Sequence, residues 1–525
     1  MKANLRSFRS YRRVIEVEVH YSLHSFLRSH GEASWPHHLT MARLVARALR
    51  LGRGALIQVG AGCGYQGRYR LSYLALALMW PGPVILVTTN RVQQRLRAVE
   101  IPRLQQWFQT KKAIQTGESW PNADFQGLLL TSPEAWLAAQ IEGRGEFPPG
   151  IPTLLDGVDD LEDWTRTQLT VSIQPSDWDE LMLACPNKVE SIRNARVQLT
   201  RAVFQHPENP YECYLISAPE QDILRRLYST LKAPAGSSDS FVGMPVAWRK
   251  FWQRFQIDEQ LLWITIARRQ GLFSLYCAPA EVASALSPIW SRQPVVLIGS
   301  ALDQEAEAPI YRQRLGLGDL TCLKFSADRQ SELIQLYLPD QLPLPNTPEF
   351  QAAFIQKVHS LLCLSLTAPG LTVLLVGDMP MKSQVGAILA AEFGSRVQVE
   401  KTCLDDNGIL VSGWEFWRQH QTVLPAPQLL VIATLPLPSL ENPLVSGRVA
   451  YYKRLRQDWF RVYLLPAALS ELQRAIAPVR ERLGVVALLD SRVLHRSYGS
   501  QVLAALSPLA RINYLDASLF TQSSD

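Results

Sequence analysis

The chain has 525 residues, 47% of them hydrophobic and 19% charged. That composition excludes a disordered chain, because enough apolar side chain is present to offset the entropy of ordering. At roughly 150 residues per domain the length predicts three to four domains. The net charge of +6 is thinly spread, so it permits a nucleic-acid partner without demanding one. The seven cysteines, at 63, 185, 213, 277, 322, 363 and 403, form no CxxC pair, which argues against a zinc ribbon or a disulfide framework and makes the cytosol the expected compartment. The longest wholly apolar run, 74–80, falls far short of the roughly 20 residues that cross a bilayer, so no membrane association is expected. No apolar stretch follows the basic start at Lys2, Arg6, Arg9, Arg12 and Arg13, so a signal peptide is not supported.

In chain order, residues 1–39 read as a basic N-terminal segment. Helical apolar spacing over 39–51 leads to a buried-type strand at 55–59, a glycine-rich turn, a helix near 69–79 and a strand at 84–87. Further strands are predicted at 126–130 and 153–155. Such alternation implies a parallel sheet with helices on both faces. Residues 166–289 are richer in charge and Trp and read as a mostly helical insertion. A second α/β stretch follows, with strands at 372–376, 409–411, 429–433, 461–464 and 485–489 and helices at 350–367 and 382–393.

The turn Gly60-Ala-Gly62-Cys-Gly64-Tyr-Gln-Gly67 follows a strand and precedes a helix, where glycines let backbone amides approach a phosphate. Gly62, Gly64 and Gly67 fit G-x-G-x-x-G, but the acid that a dinucleotide's ribose needs at the end of the next strand is replaced by Thr88-Thr89-Asn90. Gly62 and Gly67 also have P-loop spacing, yet Arg68 and Tyr69 stand where Lys and Ser/Thr would hold phosphate and Mg²⁺. A methyltransferase-like turn fails for the same missing acid, and a glycine turn that merely packs a helix on a strand is the alternative to all of these.

Further segments narrow these. Val84–Leu96 with Pro102, Trp35-Pro-His-His38, and Asp156-Gly-Val-Asp159 resemble, in order, motif Ia, the segment before the P-loop, and the D-E-A-H box of the DinG/XPD-like superfamily 2 helicases. Gly413-Trp414-Glu-Phe416-Trp417 resembles motif V, and Leu435-Pro436-Leu-Pro438 with Asn442-Pro443 and Arg448 is similar to the LPF–P–DP–R signature. Gln473…Arg480 resembles motif VI, and Asp490-Ser-Arg492 with Tyr498-Gly499 the terminal tail. These matches follow the family's order over 35–510.

The resemblance implies an α/β fold: two RecA-like parallel-sheet motor domains of the P-loop NTPase type with a mostly helical, arch-like insertion. The first would span 40–165, completed by about 290–330, the insertion 166–289, and the second 331–525. It implies ATP and Mg²⁺ between them, with Asp156 as the Mg²⁺ acid, Gly62, Gly64, Gly67, Arg68, Tyr69 and His38 around the nucleotide, and Gln473 and Arg480 as catalytic remnants. Single-stranded DNA is the implied partner, with Thr88, Arg91, Trp414 and Trp417 as its contacts, although core packing is the favoured alternative for the two tryptophans. A protein partner is also compatible.

Several chemical groups depart from that pattern. The phosphate Lys is Arg68, the Mg²⁺ hydroxyl Tyr69, the box Glu is Gly157, the box His is Asp159, and the arginine-finger position is Ala477. Arg474 offers a shifted finger. Between Gly64 and Asp156 there is no cysteine for the family's iron–sulfur cluster, so none is expected. The expected function is therefore a helicase-family protein that binds nucleic acid with impaired or lost ATP hydrolysis, in a DNA-binding or regulatory role in repair or replication. An active divergent 5′–3′ helicase and a protein-interaction scaffold are the alternatives.

Overall fold

The computed structural model describes residues 15–30, 35–143, 145–232, 243–326, 333–365, 369–405, 407–516 and 520. The basic residues Lys2, Arg6, Arg9, Arg12 and Arg13 lie outside the described residues.

Strands β1 (Ala55–Gln58), β2 (Val84–Val87), β3 (Ile114–Thr116), β4 (Leu128–Thr131) and β5 (Thr153–Asp156) come first. Then follow β6 (Val171–Ile173), β7 (Cys213–Leu215), β8 (Gln260–Ala267) and β9 (Leu272–Pro279), and after them β10 (Val295–Gly299) and β11 (Thr321–Lys324). The C-terminal half adds β12 (Ile334–Tyr337), β13 (Thr372–Leu375), β14 (Val397–Val399), β15 (Ile409–Ser412), β16 (Leu429–Ile432), β17 (Val485–Leu488) and β18 (Leu509–Ile512).

Two seven-stranded parallel sheets result, in the orders β11-β1-β10-β5-β2-β4-β3 and β14-β15-β13-β16-β17-β12-β18. The central strands are runs of four buried residues, as expected where helices cover both faces. Strands β10 and β11 flank β1, so chain beyond the insertion completes the first sheet. Both sheets belong to one compact unit, Met1–Leu161 with Ala285–Leu437 and Leu465–Asp525. Each sheet with its helices is called a lobe below. The two lobes have the parallel α/β architecture of RecA-like domains.

Part of the segment read as a basic tail is the helix Ile15–His30, which buries Ile15, Val19, Leu23 and Phe26 at i, i+4 and i+3 spacing in the core of the first lobe.

The second unit consists of Glu162–Ser284 and Pro438–Leu464. Its first segment overlaps the mostly helical insertion expected over 166–289, and it also contains a sheet that was not expected. A four-stranded antiparallel sheet, ordered β6-β9-β8-β7, runs through it. The long hairpin β8–β9 turns at Gly271, whose φ of +66° suits glycine. Helices carry Trp178, Trp248 and Trp252 onto one face of this sheet. The helix Pro443–Arg454 covers the other face, where a Cβ on Gly447 would lie 3.1 Å from Leu261 and 3.2 Å from Leu215. Residues 461–464, read as a strand, instead form a helical turn, Phe460–Leu464.

Candidate nucleotide site

The glycine-rich turn leaves β1 at the carboxyl edge of the first sheet, where open parallel sheets place their ligands. Gly60 has a φ of +86°, and residues Ala61–Gln66 then coil into a short helix. The Gly64 amide donates to the Gly60 carbonyl (3.0 Å), the Gly67 amide to Gly64 (3.2 Å) and the Arg70 amide to Gly67 (3.1 Å). A phosphate cradle needs such amides free and convergent. Here they are used within the turn. Gly64 serves packing: a Cβ there would stand 2.5 Å from the Ser300 Cβ at the end of β10. Gly67 admits a guanidinium, since its Cβ would fall 2.1 Å from Arg70 Nη1.

Arg70 was not among the residues singled out from sequence, and it defines the site. The Asp156 carboxylate, at the end of β5 and 1% exposed, accepts a close hydrogen bond from the Tyr69 hydroxyl at Oδ1. At Oδ2 it accepts Arg70 Nε (2.9 Å), and Thr88 Oγ1 lies 3.5 Å away. Burial works against the Arg70 charge, and the Asp156 carboxylate overcomes it, so the guanidinium's pKa is held above its ordinary value. Burial first, and then the Asp156 charge, push the Tyr69 phenol well above its usual range, so it stays a donor.

Mg²⁺ requires near-octahedral oxygens at about 2.1 Å and keeps several waters. These residues do not fit it, because a phenol and a cationic guanidinium already hold both Asp156 oxygens. As for a nucleotide's phosphates, the amides of Gly64, Gly67 and Arg70 are used within the turn and Arg68 points elsewhere. The Arg68 Nη2 reaches Glu481 Oε2 of the second lobe at 2.6 Å, and its Nε and Nη2 also bond Gln66 Oε1.

The other box positions are equally committed. Gly157 is left-handed, with φ +80° and ψ +34°. Asp159 accepts the Ser300 amide (2.8 Å), the Ser300 hydroxyl (2.9 Å) and the Ala301 amide (2.7 Å), so it anchors the loop after β10. Asp160 takes both Nη atoms of Arg474, at 2.7 and 3.1 Å. The shifted finger is therefore paired with a carboxylate of the first lobe. Ala477, at the finger position, is 2% exposed, and Ile476 beside it is fully buried.

Four of the residues singled out from sequence, Arg480, Thr88, Trp417 and His38, are buried. Arg480 donates to the carbonyls of Leu506 (2.6 Å), Ser507 (3.1 Å) and Pro508 (3.1 Å), which ties its helix to the β18 segment. Thr88 is 1% exposed and faces Asp156. Trp417 is 1% exposed and its indole donates to the Ala475 carbonyl (3.1 Å). His38 is buried with Nδ1 2.9 Å from the Ser72 hydroxyl. Gln473 and Trp414 are half-buried, Trp414 lying beside Gly377, and Arg91 is exposed on the first turn of the helix Asn90–Arg95. Gly62 and Cys63 are buried within the turn.

Among the described residues no three His, Cys, Asp or Glu side chains assemble into a metal-binding group. No helix among them is long and apolar enough to cross a membrane.

No family model matches the chain. By sequence it is 22% identical over 385 residues, 68% of its length, to the ATP-dependent DNA helicase YoaA of Escherichia coli K12, and it spans 59% of that protein. With the YoaA of Haemophilus influenzae Rd it shares 27% identity over 139 residues, 26% of this chain and 22% of that one. The chain thus spans well under two thirds of these relatives. In fold it is similar to an apo XPD structure (TM-score 0.58, 12% identity, 90% of this chain and 100% of that one). Similarity to S. tokodaii Xpd4 is equal (TM-score 0.58, 13% identity, 91% and 99%). The homology to YoaA and the fold shared with the XPD structures together support a place for this chain among the DinG/XPD-like superfamily 2 helicases.

Proposed function

We propose that the chain is a helicase-family protein that binds single-stranded DNA while hydrolysing ATP little or not at all, in a DNA-binding or regulatory role. The observation that carries this reading is the closed set Tyr69–Arg70–Asp156: the acid that would hold Mg²⁺ is balanced by the protein's own guanidinium. Hydrolysis in this class needs a phosphate Lys, a metal, a water-orienting carboxylate and an arginine finger. Arg68, Gly157 and Ala477 supply none of these as placed, and losses within one catalytic unit leave little above background. With no cysteine from 64 to 156, the reading includes no iron–sulfur cluster.

DNA binding is supported by the homology to DNA helicases, by the net charge of +6 and by the exposed Arg91. The test measures single-stranded DNA binding and ATP turnover on one purified sample. DNA binding that weakens with salt, without DNA-stimulated turnover, is expected. DNA-stimulated turnover at an ordinary enzymatic rate of about 1–1,000 per second overturns the loss of catalysis, and absence of binding at low salt favours the scaffold reading.

A further inference from the structure

A motor of this architecture closes when a ligand bridges its lobes. In this chain the surfaces that would flank the ligand touch each other. The helix Leu465–Arg480 of the second lobe packs directly on Ala61–Gln66 of the first. Four polar links join the same surfaces. Arg474 forms a bidentate pair with Asp160 (2.7 and 3.1 Å). Arg68 and Gln66 both hold Glu481, at 2.6 and 3.1 Å. The Tyr65 hydroxyl donates to the Gln421 carbonyl (2.8 Å). Each ion pair joins one shielded partner, Arg474 at 19% and Glu481 at 16% exposure, to one within reach of solvent, Asp160 at 34% and Arg68 at 37%, so each is only partly screened. Three of the four links begin on the turn that would otherwise wrap phosphates.

Resting on the reading that this chain has lost its nucleotide site, we infer that its two lobes are held closed by these internal ion pairs, a clasp that replaces the bridging nucleotide. A ligand shifts an equilibrium only by its differential affinity for the two states. With the turn packed on the facing helix, a nucleotide has no better site in the closed state than in the open one. DNA therefore meets a motor that is permanently in one conformation, and its affinity does not depend on ATP.

The test is energy transfer between dyes on the two lobes of the full chain, at Val99→Cys and Ile388→Cys, both exposed positions, with the exposed Cys363 and Cys403 changed to Ser. Transfer without nucleotide is expected to be unchanged by Mg-ATP or a non-hydrolysable analogue, and DNA affinity to move by less than about twofold on adding either. Arg474→Asp is expected to lower transfer, and adding Asp160→Arg to restore it. The milder pair Arg68→Gln with Glu481→Gln lowers it partially and keeps the test open if a charge reversal fails to fold, as judged by far-ultraviolet circular dichroism. Transfer that rises on adding nucleotide, or that ignores all of these variants, overturns the clasp. ATP turnover on the same samples reports on the proposed function separately: a silent ATPase with open lobes rejects the clasp alone.

Discussion

Arg70 sits one turn beyond Gly67 and does for Asp156 what a divalent cation does in a motor, balancing a buried carboxylate. Its removal leaves an uncompensated buried charge, a loss of about 3–5 kcal/mol. Tyr69→Phe deletes one donor to the same carboxylate and is expected to cost about 1–3 kcal/mol. Urea unfolding of Arg70→Gln and Tyr69→Phe measures both. A metal-holding Asp156 would behave differently: Arg70→Gln would then leave stability nearly unchanged. The sequence showed that positions 68 and 69 were wrong for a P-loop, because their chemistry is read against a fixed spacing. It did not show Arg70, whose role depends on a guanidinium folding back over a glycine without a side chain. Asp160 and Glu481 were equally hidden, since nothing local marks the partner of an ion pair more than 300 residues away.

At the level of elements, most of the parallel strands could be read from the sequence, because a buried central strand is a short β-rich run with little competing pattern. The hairpin β8–β9 was missed among the charges and tryptophans around it, although two apolar eight-residue runs around Arg268-Arg-Gln-Gly271 carried a signal. The turn Phe460–Leu464 was misread because Val-Tyr-Leu has strand composition in either conformation. One connection makes a measurable prediction. Lys112 Nζ donates to the carbonyls of Trp80 and Gly82, both at 2.7 Å, where the helix Arg70–Met79 passes into β2. Burial pushes its ammonium down to about 7. Between about 7 and the ordinary Lys value of about 10.4, the unfolded chain holds a proton that the folded chain lacks, so stability from this group rises with pH across that window. Below about 7 both states hold it and the burial cost is complete. Lys112→Met should flatten this slope, so the stability difference between variant and wild type changes steadily from pH 7 to 10 in chemical denaturation. A constant difference would show that Lys112 does not titrate there.

Across the whole molecule, the departures from the helicase motifs fall on contacts between the same two surfaces. The order of motifs along the chain revealed the two lobes, since order survives substitution. The closed state of the site was not legible, because it arises from packing between segments remote in sequence. This makes a reconstruction informative. Arg68→Lys, Tyr69→Ser, Gly157→Glu and Ala477→Arg together restore the missing side-chain chemistry on paper. Each replacement meets a structure built around the present residue. Glu at 157 must adopt a left-handed backbone with φ +80°, at about 1–2 kcal/mol. Tyr69 is 3% exposed and leaves a cavity when cut to Ser, while an Arg at the 2% exposed Ala477 overfills its site by about 1–3 kcal/mol or more. Arg70 would still cover Asp156, and Leu465–Arg480 would still lie on the glycine turn. The quadruple variant is therefore expected to melt well below the parent and to show no DNA-stimulated ATP turnover in a coupled assay. Turnover in that variant would place the proposed loss of hydrolysis in the side chains alone and not in the packing of the two lobes.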